Sequence, residues 1–185
     1  MAAMLVLFGD LEKRGERIGW RTWSRIIAGV GLAKRRGNVT IYTSATRSKG
    51  YPSMPCDGAK MQEEAIYSFA PEVPVVALCG DGEWSSRGEL RKFFAALSLG
   101  EKIIFVSGKY HLNRLRGLVE EYHPEFAPFV EYYEVDYDRL TLMGQCVEMA
   151  KCVLTHFPEG TQSFVRRCLE GARAVRERFR VAVLG

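Results

Sequence analysis

Short apolar runs recur along the chain with amphipathic stretches between them. The runs are MLVLF at 4–8, VTIYT at 39–43, VPVVALC at 73–79 and KIIFVS at 102–107. Runs this continuous suit strands covered on both faces, and their spacing suits βα units feeding a parallel sheet. A fifth run, VEYYEV at 130–135, alternates more and predicts an edge strand. The pattern therefore predicts an α/β fold of three layers with a mostly parallel sheet of about five strands.

The intervening stretches carry helix signals. Thr22 is placed to cap a helix whose apolar face holds Trp23, Ile26, Ile27, Val30 and Leu32 or Ala33, with Gly37-Asn38 as its stop. Asp57 or Gly58 opens a second helix that Pro71 ends, and Ser86-x-x-Glu89 has capping-box spacing at the start of a third, which runs through Leu97. A fourth spans 111–122 with Leu112, Leu115, Leu118 and Val119 facing inward. After Asp138 two amphipathic stripes follow, Leu140, Met143, Val147, Ala150 and Leu154, then Phe164, Cys168, Ala172, Val175 and Phe179. They predict an αα-hairpin packed on the sheet or on a second subunit of a homodimer. The closing RVAVLG reads as a last strand. Residues 1–137 and 138–185 thus divide into a core and a helical hairpin within one structural domain.

At 185 residues, 47% hydrophobic and 26% charged, the chain is long enough for one well-filled core. It contains no apolar run long enough to span a bilayer, and its first residues lack the flanks of a signal peptide, so the expectation is a cytoplasmic protein with no membrane partner. Five cysteines without C-x-x-C or Cys/His zinc spacing support neither a disulfide framework nor a structural metal. The formal charge of +4 is unevenly spread: residues 1–60 hold eleven Lys/Arg against four acids, net +7, leaving −3 for the remainder. A basic first third fits an anionic partner, small or polymeric, although such asymmetry is more often a solvated face.

In an open parallel sheet, ligands bind where loops leave the carboxyl ends of the strands. The loops here are polar. The first offers Asp10, Arg17 and Arg21; the second Ser44, Thr46, Arg47, Lys60, Glu63 and Glu64; the third Asp81, Glu83, Ser85, Ser86 and Glu89; the fourth Ser107, Lys109, Tyr110, His111, Asn113 and Arg114. Neither G-x-G-x-x-G nor a P-loop is present. Ser86 with Glu89 reads first as a helix cap, though a helix start also holds anions on its backbone amides. His111 is the least ordinary of these residues. A histidine beside a helix N-terminus has its charged form disfavoured, which suits a neutral imidazole that exchanges hydrogen bonds with a ligand. Arg114, one helical turn on, is placed to clamp an anion bidentately.

Six features come in a recognisable order: an apolar strand ending in Gly, a helix carrying Arg25, a second strand ending in Ser44, Glu64-Ala65 opening a helix, Ser85-Ser86-Arg87-Gly88-Glu89-Leu90, and a strand ending in Ser107 that leads into Tyr110-His111-x-x-Arg114. This order resembles the domain of unknown function 218 family, which includes YdcF- and SanA-like proteins, over about residues 4–122. Tyr110, His111 and Arg114 match its most specific motif, and Glu64-Ala65 match another. The chain departs where the family usually has Ser-Gly-Gly and Thr-x-Glu-Asn, with Ser44-Ala45-Thr46 and Ser86-Arg87-Gly88-Glu89 instead. The resemblance implies a Rossmann-like core with a polar site at the sheet edge and little chemistry: some members are linked to nucleotide-type ligands, which makes S-adenosylmethionine or a similar ligand a candidate, and others to envelope maintenance, and no reaction is named.

The expectation carried forward is an anionic small molecule held by Arg114, Ser86, Ser107 and backbone amides, with His111 and Glu64 as the acid/base pair of a metal-free hydrolase or transferase. Asp10, Arg25, Ser44, Glu89 and Tyr110 complete the expected binding set. The absence of G-x-S-x-G and of a metal-ligand cluster disfavours serine-hydrolase and metallohydrolase chemistry. Nucleic-acid binding through RIGWRTWSR, which interleaves Arg17, Arg21 and Arg25 with Trp20 and Trp23, is the first alternative; the place of Trp23 on the apolar helix face counts against it. A non-catalytic partner protein that assembles through the hairpin is the second.

Overall fold

The computed structural model describes residues 2–7, 11–12, 17–44, 58–78, 86–98 and 100–136. The chain begins with strand β1 (Ala2–Leu7), and two short strands, β2 (Leu11–Glu12) and β3 (Arg17–Ile18), then pair antiparallel before helix α1 (Trp20–Arg36). Strand β4 (Val39–Ser44), helix α2 (Gly58–Phe69), strand β5 (Val75–Ala77) and helix α3 (Ser86–Ala95) follow. Strand β6 (Lys102–Ser107), helix α4 (Lys109–Tyr122), a 3-10 turn (Ala127–Phe129) and strand β7 (Val130–Glu134) complete the described elements. The protein is therefore mixed α/β, with parallel strands and four α-helices among the described residues.

The strands lie side by side in the order β5-β4-β1-β6-β7, and every neighbouring pair is parallel. β1 sits centrally, with Met4 beside both Ile41 and Ile104. The chain first builds outward from β1 to β4 and β5, then returns to the other side for β6 and β7. That reversal at β1/β6 is a topological switch point, the place in an open parallel sheet where ligands bind at the carboxyl edge.

Helices cover both faces. Ile26, Val30 and Ala33 of α1 and Ile66 of α2 pack with Val39, Ile41, Ile104 and Val106 in one buried cluster. Leu90, Phe93 and Phe94 of α3 and Leu112, Leu115, Leu118 and Val119 of α4 pack with Ile103 and Phe105 in the other. β6 supplies both clusters from alternate residues, as its period-2 geometry requires. A strand buried on both faces needs apolar side chains at nearly every position, which explains why its run has no polar alternation.

Local details differ from expectation. α1 starts at Trp20 behind Gly19, so Thr22 is a buried helix residue and not the cap. Trp23 and Ile27, expected in the core, are 37% and 62% exposed, whereas Thr22 and Arg25 are buried. The inward face of α1 is turned toward 22, 26, 29, 30 and 33, and Trp23 instead meets Phe69 of α2 with ring centroids 6.2 Å apart. β5 is three residues long, less than the apolar run at 73–79. The predicted hairpin and the closing RVAVLG lie outside the described residues.

Candidate functional site

β6 and α4 are joined by a single residue, Gly108. This short turn sets Ser107, the last strand residue, one helical turn from His111 on the first turn of α4. Ser107 follows Ile103 and Phe105 on the face covered by α3 and α4, and it is fully buried. Its Oγ lies 2.9 Å from His111 Nδ1. On the other side of the ring, His111 Nε2 is 3.4 Å from Ser86 Oγ at the start of α3. Arg114, three residues along α4, donates from Nη2 to the same Ser86 oxygen at 3.1 Å.

These contacts form one chain, Ser107–His111–Ser86–Arg114, across the starts of α3 and α4. One imidazole nitrogen of a neutral histidine donates and the other accepts. His111 thus lies between two hydroxyls, and the ring nitrogen that carries the proton sets which of them it donates to. The helix starts add backbone amides whose dipoles favour negative charge. Ser86, His111 and Arg114 are only partly buried, so a ligand can reach them, while Ser107 anchors the ring from beneath. The Ser86 hydroxyl reaches across to α4, which replaces the capping role read from its spacing to Glu89.

Scans against protein-family models, curated proteins and solved structures found no match.

Several expected residues converge on the cluster or its surroundings. Glu89 lies one turn below Ser86 on α3 and is buried; Tyr110 lies beside His111 and is half-buried. Ser44 ends β4 two residues after Tyr42, which packs in the α3/α4 layer, so its side chain points to the same face as Ser107. The registers Leu7↔Ser44 and Val6↔Val106 put Ser44 and Ser107 in one row, two strand spacings or about 10 Å apart. Ser44 Oγ is buried and has no hydrogen-bond partner among the described residues.

Other expected residues lie elsewhere. Glu64 is exposed on α2, whose buried stripe is Gly58, Ala59, Gln62 and Ile66. α2 covers the opposite face of the sheet from α4, so the proposed His111/Glu64 pair is not assembled. Two residues of helix rotation separate Glu64 from Gln62 and turn its carboxylate outward. Arg25 is buried in α1, also in the opposite layer. Asp10 lies outside the described residues.

Gln62 is a buried polar residue with no sequence signal beyond its place in an apolar stripe. It is fully buried, and both amide atoms lack a partner among the described residues. The neighbouring Thr43 Oγ1 donates to the Ala59 carbonyl at 2.9 Å, which fixes the first turn of α2 against β4. Among the described residues no three His, Cys, Asp or Glu side chains gather as a metal-ligand set, and no helix is long and apolar enough to cross a membrane.

Proposed function

We propose that the carboxyl-edge cluster binds a small anionic molecule, phosphorylated or carboxylated and nucleotide-like in size, with His111 handling a proton. The observation that carries this reading is the hydrogen-bonded chain Ser107–His111–Ser86–Arg114 at the adjoining starts of α3 and α4. A guanidinium, a hydroxyl and helix-terminal amides together offer the donors an oxyanion needs. Ser44, in the same strand row as Ser107, extends the polar surface across the end of β1. The motif order from Arg25 to Arg114 favours a place in the domain of unknown function 218 family and with it a Rossmann-like core over about residues 4–122; the αα-hairpin is proposed from the amphipathic stripes after Asp138, outside that resemblance.

A thermal-shift panel of inorganic phosphate, sugar phosphates, nucleotides and S-adenosylmethionine tests the reading. A ligand at about 100 times its Kd adds roughly 2.7 kcal/mol of stability by binding only the folded state. The wild type is expected to shift with at least one anionic compound, and His111→Ala and Arg114→Ala to lose that shift. If no compound shifts the wild type, the cluster is structural.

A second reading has its own support. Trp20 is 52% exposed, Trp23 is 37% exposed, and the Arg21 guanidinium lies 5.4 Å from the Trp20 ring centroid. Exposed aromatics beside cations at the start of α1 suit stacking with single-stranded nucleic acid. Binding of a labelled oligonucleotide that weakens steeply with salt, and is lost in Trp20→Ala, would favour this surface over the crevice.

A further inference from the structure

We propose that Ser86 is a nucleophile, and that the cluster transfers the phosphoryl group of a phosphate monoester through a phosphoserine at this position. The proposal rests on the anion-binding reading above and deepens it. With Glu64 on the opposite face, Ser86 is a described hydroxyl within reach of His111 on its outer side. The arrangement has the three parts of an activated hydroxyl: a nucleophile within reach of a base, and a third group that orients the base. Ser86 Oγ stands 3.4 Å from His111 Nε2, and buried Ser107 holds Nδ1 at 2.9 Å. The longer distance is ordinary for a site without ligand, where catalytic contacts tighten only on binding.

Phosphorus suits this site better than a carbonyl carbon. The group behind His111 is a serine, not the carboxylate that orients the imidazole of an acyl-transfer triad. Phosphoryl transfer proceeds through a loose transition state that asks mainly for positioning and for charge stabilisation on the equatorial oxygens. Arg114, already directed at Ser86 Oγ at 3.1 Å, and the first amides of α3 and α4 supply that stabilisation.

In the first step the Ser86 Oγ–P bond forms as the ester P–O bond breaks. The Ser86 proton passes to His111 Nε2 and on to the departing alkoxide, which leaves as an alcohol. In the second, water attacks phosphorus and the P–Oγ bond breaks. The proton of the attacking water passes through His111 to Ser86, which regenerates the hydroxyl and releases inorganic phosphate.

The test uses the full chain with p-nitrophenyl phosphate. Acid quenching followed by peptide mass spectrometry is expected to find one phosphoryl group on Ser86, formed with an initial burst of p-nitrophenolate. Ser86→Ala should abolish both. His111→Gln should slow the burst by at least about 100-fold, the usual contribution of a general base. Melting curves of each variant establish that it is folded, and Ser86→Thr, which keeps a hydroxyl, should retain a slow phosphoenzyme. If inorganic phosphate stabilises the wild type but not Arg114→Ala, and no phosphoenzyme forms, the site binds anions without nucleophilic chemistry and the proposal falls alone. Failure of both phosphate stabilisation and adduct formation removes the anion-binding reading with it. A phosphoryl group found on any residue other than Ser86 also overturns the proposal.

Discussion

Glu131 shows how one residue ties layers together and how pH should loosen them. Arg36 at the end of α1 donates to both its carboxylate oxygens, at 3.1 and 2.7 Å, and Lys102 of β6 lies 3.3 Å away. The Arg36 hydrogen bond, reinforced by Lys102, holds the Glu131 carboxyl below the ordinary carboxylate range against the smaller opposing effect of burial. A depressed folded pKa gives stability that is present above the unfolded value, about 4.5, and lost as pH falls through the folded one. Glu131→Gln should therefore lower the melting temperature at pH 7 and make little difference near pH 3. The partners are partly exposed, so the loss at pH 7 should stay under about 1 kcal/mol. At the same scale, the sequence placed Ser107, His111 and Arg114 correctly on one strand–helix turn, because their spacing is local. It misjudged Glu64, since nothing in Glu64-Ala65 reports which side of the sheet α2 covers.

Helix α1 shows what element boundaries depend on. It ends at Gly37, which has φ 63° and ψ 160°, followed by Asn38 with φ 47°. A Cβ at position 37 would meet no atom within 4 Å, so the constraint there is backbone conformation and not space. Gly37→Ala should cost about 1–3 kcal/mol through that conformation alone, measurable by urea unfolding with an unchanged slope. The Gly-Asn stop was legible because only a few residues tolerate positive φ. The inward face of the helix was less legible. Trp23 and Ile27 fall beside the buried stripe by helical angle, and the packing of α2 leaves them at the surface. In α3, Phe93 is fully buried and meets Tyr42, Phe94 and Phe105 at centroid distances of 5.3, 5.5 and 5.8 Å. Phe93→Ala should destabilise by about 3–5 kcal/mol, by loss of burial and creation of a cavity beneath Ser86 and Glu89.

Across the whole molecule, three groups predict a stability that falls at both ends of the pH scale. Burial pushes His123 down, against the opposing pull of Glu125, as its ring packs 4.6 Å from Phe94. Stability from a neutral, half-buried histidine is present above about 6.5 and lost as pH falls below it, before Glu131 titrates. Burial pushes Tyr132 on β7 up to about 12, so the neutral phenol favours the fold, and stability is lost above the unfolded value, about 10. Melting temperatures across pH should decline first below about 6.5 and again above about 10, and His123→Phe should flatten the acid limb while leaving the alkaline one.

The sequence by itself determined the alternation of buried strands and amphipathic helices and the local turn that joins Ser107 to His111. Hydrophobic periodicity and short spacing are properties of neighbouring residues, so they survive in one dimension. Only the tertiary structure decided the strand order, the face each helix covers, and the meeting of Ser86 with His111 and Arg114. Ser86 stands 25 residues before His111, and it arrives there because the chain after β5 crosses to the other side of β1 to form β6 and lays α3 beside α4. Long-range contacts of that kind are fixed by how two layers pack on a shared sheet, a choice that no local pattern of side chains records.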